Sequence, residues 1–353
     1  MNITFLIGNG FDLNLGLKTT YNNFIEEYKK EKSSDSEIIK KFKQLINMSQ
    51  KDWGNAERAF GKYTTSIGEI FSVPEYCICH EDFCNSLATY LIQEDEKFYI
   101  PEEETEIINI FSNDLINFLN GFRMAQKTSI TNTLNLYNSQ YLFNFINFNY
   151  TSTLDRLVST MNAKNFFTQR NVNGRTYRNS LDRFIHVHGD VHSDMVLGVN
   201  DETQIENLEG FQKENPIYLS QLIKSKTNEQ NEQYKDRDAY EILKSSHLIY
   251  IYGMSIGETD KLWWQRICDL MTKNGNLRVI IHCYDAPQRT LIGTSYKLYE
   301  ENTIKHFLSY GDLSEEQIFQ LMPRIHIDGS NIFKDLKERF EVIQSEGKIQ
   351  KVG

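Results

Sequence analysis

An α/β fold built around a mainly parallel sheet is what these 353 residues predict, and three observations carry the prediction. Short apolar runs rich in β-formers recur along the chain with little polar alternation, as in strands covered on both faces by helices. Helical periodicity follows most of these runs. Polar turns bearing Gly, Asn or His stand at the carboxyl ends of the runs, where open parallel sheets bind their ligands.

The first run, residues 3–7 (ITFLI), ends at Gly8-Asn9-Gly10. Thr19 and Thr20 offer N-caps, and residues 21–32 carry helical spacing through Tyr21, Phe24, Ile25 and Tyr28. A strand, a Gly-rich turn and a helix make half of a nucleotide-binding βαβ unit. Residues 33–133 show only helical patterns, among them Ile38-Ile39-Phe42-Leu45-Ile46 and Ile107-Ile110-Phe111-Leu115. They read as a helical insertion into a Rossmann-like core made of residues 1–32 and 134–353. Strand signals return at 141–148 (YLFNFINF), followed by a helix at 152–161, then at 184–187, 247–252 (HLIYIY), 278–284 (RVIIHCY) and 324–327. Residues 195–199 read as one more short strand. A helix from Thr259 or Asp260 to about Met271 follows the HLIYIY run. The polar stretch 201–238 reads as a mobile loop or lid.

Composition narrows the function. Lys plus Arg number 38 against 48 Asp plus Glu, a formal net charge of −10. That argues against a nucleic-acid binder, which needs a basic face. No run approaches the ~18 apolar residues of a membrane span. The N-terminus lacks the charged region and cleavage site of a signal peptide. Five Cys, an odd number, fit reduced thiols and a cytoplasmic location.

Four strand-end motifs carry the candidate chemistry. Gly8-Asn9-Gly10-Phe11-Asp12 lets a backbone approach a pyrophosphate, although Leu13 stands where a dinucleotide fingerprint wants a third Gly. Asn149 either orients a ribose hydroxyl or a water through its carboxamide or caps the next helix. Among His186, His188 and His192, His188 is the candidate acid–base group because imidazole titrates near neutral pH. Gly253-Met254-Ser255 suits phosphate or ribose contact, with Asp260 capping the helix beyond. The same segment reads GMSIG, a Gly-x-Ser-x-Gly pattern that Asp285 and His306 or His326 would complete as a serine hydrolase. Trp263 and Trp264 read as packing residues. Cys77, Cys79, His80 and Cys84 match no common four-ligand zinc spacing, and no metal is expected.

These motifs, taken in order, resemble the bacteriophage abortive-infection AbiH family, a branch of the SIR2-like superfamily. The resemblance rests on IGNGFDLNLGLKTTYNNF at the N-terminus, WGNAERAF at 53–60, FNYTSTLD at 148–155, HVHGD at 186–190 and IYGMSIGETDKLWW at 251–264. It implies a SIR2-like core that binds NAD and cleaves it to nicotinamide and ADP-ribose in answer to a phage-derived trigger, with homo-oligomerisation as one route to an off state. Carried over residue by residue, it implies that Gly8 and Gly10 lie under the pyrophosphate and that Asn149 stands at the Asn of the QNID motif. His188 stands at the general-base His of HG, and Gly253 and Ser255 match the Gly and Ser of GTS. The zinc ribbon of sirtuins is missing and QNID has become FNYT, which argues against protein deacylation. Many family members have His where this chain has Met254. The resulting expectation is an NAD hydrolase with Asn149, His188 and Asp12 as catalytic residues. Gly8, Asn9, Gly10, Phe11, Gly253, Ser255 and Asp260 are expected to hold NAD as substrate. The alternative is a sensor that binds NAD or ADP-ribose and regulates a partner without chemistry.

Overall fold

In the computed structural model, which describes all residues except 101–104, 164–167, 289–292 and 351–353, eight strands form two sheets. They are β1 (Asn2–Ile7), β2 (Leu142–Asn147), β3 (Gln169–Val172), β4 (Arg175–Arg178), β5 (Ser180–His186), β6 (Leu248–Tyr252), β7 (Arg278–His282) and β8 (Ile325–Asp328). The main sheet runs β5-β2-β1-β6-β7-β8, and every pairing in it is parallel. This is the doubly wound α/β order that the apolar runs predict: the chain builds outward from β1 on one side, then returns to build outward from β6 on the other. The order reverses between β1 and β6, so a crevice opens beyond their carboxyl ends. The small sheet is a β3–β4 hairpin turned by Asn173-Gly174, both at positive φ.

Register sets where the motifs fall. Ile7 pairs with both Asn147 and Tyr252, and Asn147 pairs with His186. Gly8, Asn149, His188 and Gly253 therefore emerge side by side just past one edge of the sheet. Helices cover both faces. One core joins Phe5, Phe145 and Tyr250 to the helices Glu106–Ile116 and Met124–Asn135 and to Phe333 and Phe340. The opposite face packs Leu6, Ile146 and Ile251 against Ile242, Trp264, Ile267 and Phe307.

A third core lies apart from the sheet strands and is mainly helical. Phe24, Phe42, Trp53, Phe60, Tyr76 and Phe83 meet there with Leu197, Phe211, Leu222 and Ile223. Its longest helix, Val73–Asp95, opens with a reciprocal Ser72–Glu75 capping box. The residues 33–133 thus serve two cores, the helical lobe and the sheet.

Three expectations change. Residues 195–199 form no sheet strand; Val199 makes an isolated bridge to Ile223. The stretch 201–238 is a chain of short helices instead of a loop, because its polar residues are caps (Asp201, Asn207 and Asn215) while Phe211, Leu222 and Ile223 are buried. The glycine turn leads directly into a short helix, Gly10–Asn14, before the helix Tyr21–Tyr28 that Thr20 caps.

Candidate functional site

The turns after β1 and β6 interlock through backbone alone. Gly8 N–H donates to the Tyr252 carbonyl at 2.9 Å, and Gly10 N–H to the Gly253 carbonyl at 2.8 Å. A Cβ on Gly10 would stand 2.5 Å from Gly253 Cα, and Gly253 itself holds φ +68°. No side chain fits at this crossing, so peptide groups form the floor of the crevice. Asn9 lines it with its carboxamide tied to Thr19, which donates its hydroxyl to Oδ1 at 2.5 Å. Phe11 points the other way, fully buried against Phe333 and Tyr252, and gives the crevice no side chain.

The Gly10–Asn14 helix ends in a Schellman motif. Gly16, at φ +82°, donates to the Leu13 carbonyl at 3.0 Å, and Leu17 donates to the Asp12 carbonyl at 3.1 Å. This fixes the backbone of Asp12, whose carboxyl is buried. Its Oδ2 accepts from the Thr151 hydroxyl at 2.5 Å, and its Oδ1 has no partner. Burial pushes the Asp12 carboxyl up to about 7, against the opposing hydrogen bond from Thr151.

Asn149 sits on the loop after β2, with both side-chain atoms buried and unpartnered. It does not cap the helix Thr153–Ala163. That helix is met instead by Asp95, whose carboxylate accepts from Ser152 N–H at 3.1 Å, Ser152 Oγ at 2.5 Å and Arg156 Nη2 at 2.7 Å.

His186 and His188, two residues apart, live opposite lives. Both ring nitrogens of His186 face acceptors, the Asn149 carbonyl at 3.0 Å and the Asp155 carboxylate at 2.9 Å. Both must therefore carry protons. Burial disfavours that charge, but Asp155 outweighs it and His186 titrates above its ordinary value. His186 is thus the clamp on the Asn149 backbone. His188 is buried with neither nitrogen partnered, and its ring meets Phe148 edge-on at 5.7 Å. Burial first, and the Lys224 ammonium second, hold it well below its ordinary value, so the ring is neutral. His192 lies on the exposed turn that follows.

One cavity of about 270 Å³ takes in Gly8, Asn9, Asp12, Asn149, His188, Gly253, Ser255 and Asp260. Asp260 occupies the N-cap position of the helix Lys261–Lys273, yet its side chain makes no capping bond. It lines the cavity instead, and burial raises its carboxyl to about 6. The helical lobe supplies the facing wall, including a Lys224–Glu57 ion pair at 2.7 Å. Sequence reasoning left both residues without a role: Glu57 stands inside WGNAERAF, and Lys224 inside the stretch read as a loop. Only their contact across the fold marks them.

A second cavity, about 950 Å³ and more apolar, adjoins the first and shares Asn9, Gly253, Met254 and Ser255 with it. It lies over the ends of β6 and β7, against His282, Tyr284, Tyr299 and His306. Met254 flanks both cavities and touches the position a Cβ on Gly8 would take, at 2.5 Å.

The serine-hydrolase arrangement is not assembled. His306 Nε2–H donates to the Ile256 carbonyl at 2.8 Å, and Asp285 accepts from the Tyr299 hydroxyl at 2.6 Å. His326 lies edge-on to Phe122 on β8. Trp263 and Trp264 are packing residues, and Trp264 Nε1–H also pins the Gly257 carbonyl at 3.0 Å. His80 donates to the Leu197 carbonyl at 3.1 Å beside Cys84. Among the described residues, no group of three or more His, Cys, Asp or Glu is arranged to hold a metal ion. Nor is any helix among them long and apolar enough to cross a membrane.

No curated protein matches this chain. The family model described as bacteriophage abortive infection AbiH matches residues 4–282, and the chain belongs to that family.

Proposed function

We propose that this AbiH-family chain serves abortive infection by hydrolysing NAD to nicotinamide and ADP-ribose. One observation carries the reading: Asn149, His188 and Asp12 turn buried, unpartnered polar atoms into one cavity at the switch point of the sheet. Buried polar atoms normally find partners, and a set left open around a cavity fits a ligand that completes them.

The two adjoining cavities suit the two halves of a dinucleotide. The nicotinamide ribose occupies the smaller one. The pyrophosphate crosses the glycine floor, where the backbone is bare, and the adenosine fills the larger, more apolar one. The first cavity holds three carboxyls, Asp12, Glu57 and Asp260, against one ammonium, Lys224. That balance favours a cationic nicotinamide ring and the oxocarbenium-like charge that develops on the ribose.

Cleavage breaks the bond between ribose C1′ and the nicotinamide nitrogen, and the bonding pair leaves with nicotinamide. Water adds to C1′ and its proton passes to solvent. Asn149 orients the water or the ribose hydroxyls through its free carboxamide. His188, neutral, accepts a proton from a ribose hydroxyl or from the water. Asp12 stabilises the cation when ionised, so turnover should rise as pH climbs through about 7.

Chromatography of purified protein incubated with NAD tests this. Nicotinamide and ADP-ribose should form in equal amounts, and Asn149→Ala and His188→Ala should each lower the rate by about 10²-fold or more with unchanged circular dichroism. Near-normal turnover in either variant refutes the roles assigned. Calorimetric NAD binding without nicotinamide release favours a sensor.

A further inference from the structure

The Lys224–Glu57 pair is a deeply placed charged contact in the helical lobe's wall of the cavity, and beyond its share of the charge balance it has no part in the proton transfers. Its two side chains are 6% and 12% exposed and lie 167 positions apart in sequence. Tyr21 and Tyr150 hold their hydroxyls 3.4 and 3.5 Å from the other Glu57 oxygen. An ion pair so buried is a weak source of stability, since well-packed apolar residues of similar volume serve as well or better. Its place in the same cavity lining as His188 supplies a different reason for it.

We propose that Lys224, tethered by Glu57, is a positioning residue of the cavity: its ammonium shares the cavity lining with the unpartnered imidazole of His188 and keeps that ring in the form that accepts a proton. The inference rests on the reading of His188 as the base. The charged and titratable groups around the imidazole come from every side. Lys224, Glu57, Tyr21 and Tyr150 line the same cavity. Asp260 enters from the turn before Lys261–Lys273 and Asp12 from the glycine turn. On the histidine's own segment stand His186 with its partner Asp155, and Asp190. Burial raises Asp12 to about 7 and Asp260 to about 6, so both are mostly neutral in the acid range where a second proton on His188 matters. There burial is the first obstacle to the second proton, and the tethered ammonium adds its repulsion. Glu57 fixes its position and offsets part of its charge.

The test is histidine-selective NMR on the full chain, with the His188 resonance assigned by its loss in His188→Ala. In the wild type the imidazole should titrate well below the ordinary histidine range. In Lys224→Met its midpoint should rise by about 1 unit or more, and Lys224→Arg, which keeps the cation, should leave it unmoved. Glu57→Gln should shift it the opposite way, downward, and serves if Lys224→Met does not fold. Below the wild-type midpoint, kcat should fall about tenfold in Lys224→Met for each unit that the midpoint rises, while KM stays within twofold. A midpoint that does not move in Lys224→Met, or that rises in Glu57→Gln, overturns the proposal. The midpoint alone decides it. Absence of nicotinamide release from the wild type overturns the hydrolase reading instead.

Discussion

On the sheet side of the cavity, Asn149, His188 and Asp12 keep buried side-chain atoms without partners, while Glu57 and Lys224 on the lobe side, and Asp95 behind the segment that carries Asn149, are partnered. Both walls are polar and buried, yet they are built for different ends. An unpartnered buried group costs stability and is tolerated where something else completes it. A saturated network holds geometry. The comparison separates the residues expected to meet a ligand from those that keep the first set in place, and it gives opposite signs for their removal.

The largest effect should come from the saturated side. Asp95, 1% exposed, binds Ser152, Thr153 and Arg156 and so anchors the segment that carries Asn149. Asp95→Ala leaves the Arg156 guanidinium without its carboxylate and strips the start of the Thr153–Ala163 helix. Arg156 is about a third exposed, so the cost is that of lost hydrogen bonds to a charged acceptor, about 3 kcal/mol. Denaturant titration should show the midpoint falling, with any NAD cleavage lost alongside. A variant as stable as the wild type would erase the distinction between the walls.

A smaller loss is expected at the floor they share. Gly253→Ala asks an L residue to hold φ +68° and puts a Cβ 2.7 Å from the Phe11 nitrogen and 2.8 Å from Gly10 Cα. The conformation alone costs about 1–2 kcal/mol, and the contact forces the two turns apart. Since those turns join the two cavities, NAD affinity should weaken by more than global stability does. Calorimetry beside thermal unfolding checks the ratio, and equal losses would make Gly253 a packing residue only.

The two walls also differ in how far they could be read from sequence. Gly8, Asn149, His188 and Gly253 each follow an apolar run, and in a parallel sheet the end of a run is a place in space. Four separate motifs therefore converge without any knowledge of packing. The Glu57–Lys224 pair has no such address, because its contact depends on how the lobe's helices close on one another. The stretch 201–238 misled for a related reason: its Asp and Asn residues are helix caps, and caps and loops share a composition. Asn173-Gly174, in contrast, is a hairpin signal that was there to be read. Asp260 shows that a residue in a capping position need not cap, since the cavity draws its carboxyl inward.

The smallest predicted effect has the opposite sign and sharpens the contrast most. The Asp12 carboxyl sits at about 7 in the fold against an ordinary value of 3.8, so burial disfavours its ionised form. Below pH 4 the group is protonated folded or unfolded and contributes nothing to the difference. As pH rises from 4 to 7, the unfolded chain ionises freely while the folded one resists, and stability falls until it levels off above 7. Asp12→Asn removes that titration. The three-unit gap corresponds to roughly 4 kcal/mol, but the new amide would bury an N–H₂ where Oδ1 now lacks a partner, which returns about 1–3 kcal/mol of it. A net gain of roughly 1 kcal/mol at pH 8 should remain, and it should be absent or reversed at pH 4. Turnover should fall at pH 8 and change little at pH 4, where the wild-type carboxyl is already protonated. Urea titrations at the two pH values decide it: a variant more stable at pH 8 and less active places Asp12 with the groups that a ligand completes. A variant destabilised at pH 8 places it with Asp95 among those that hold the scaffold.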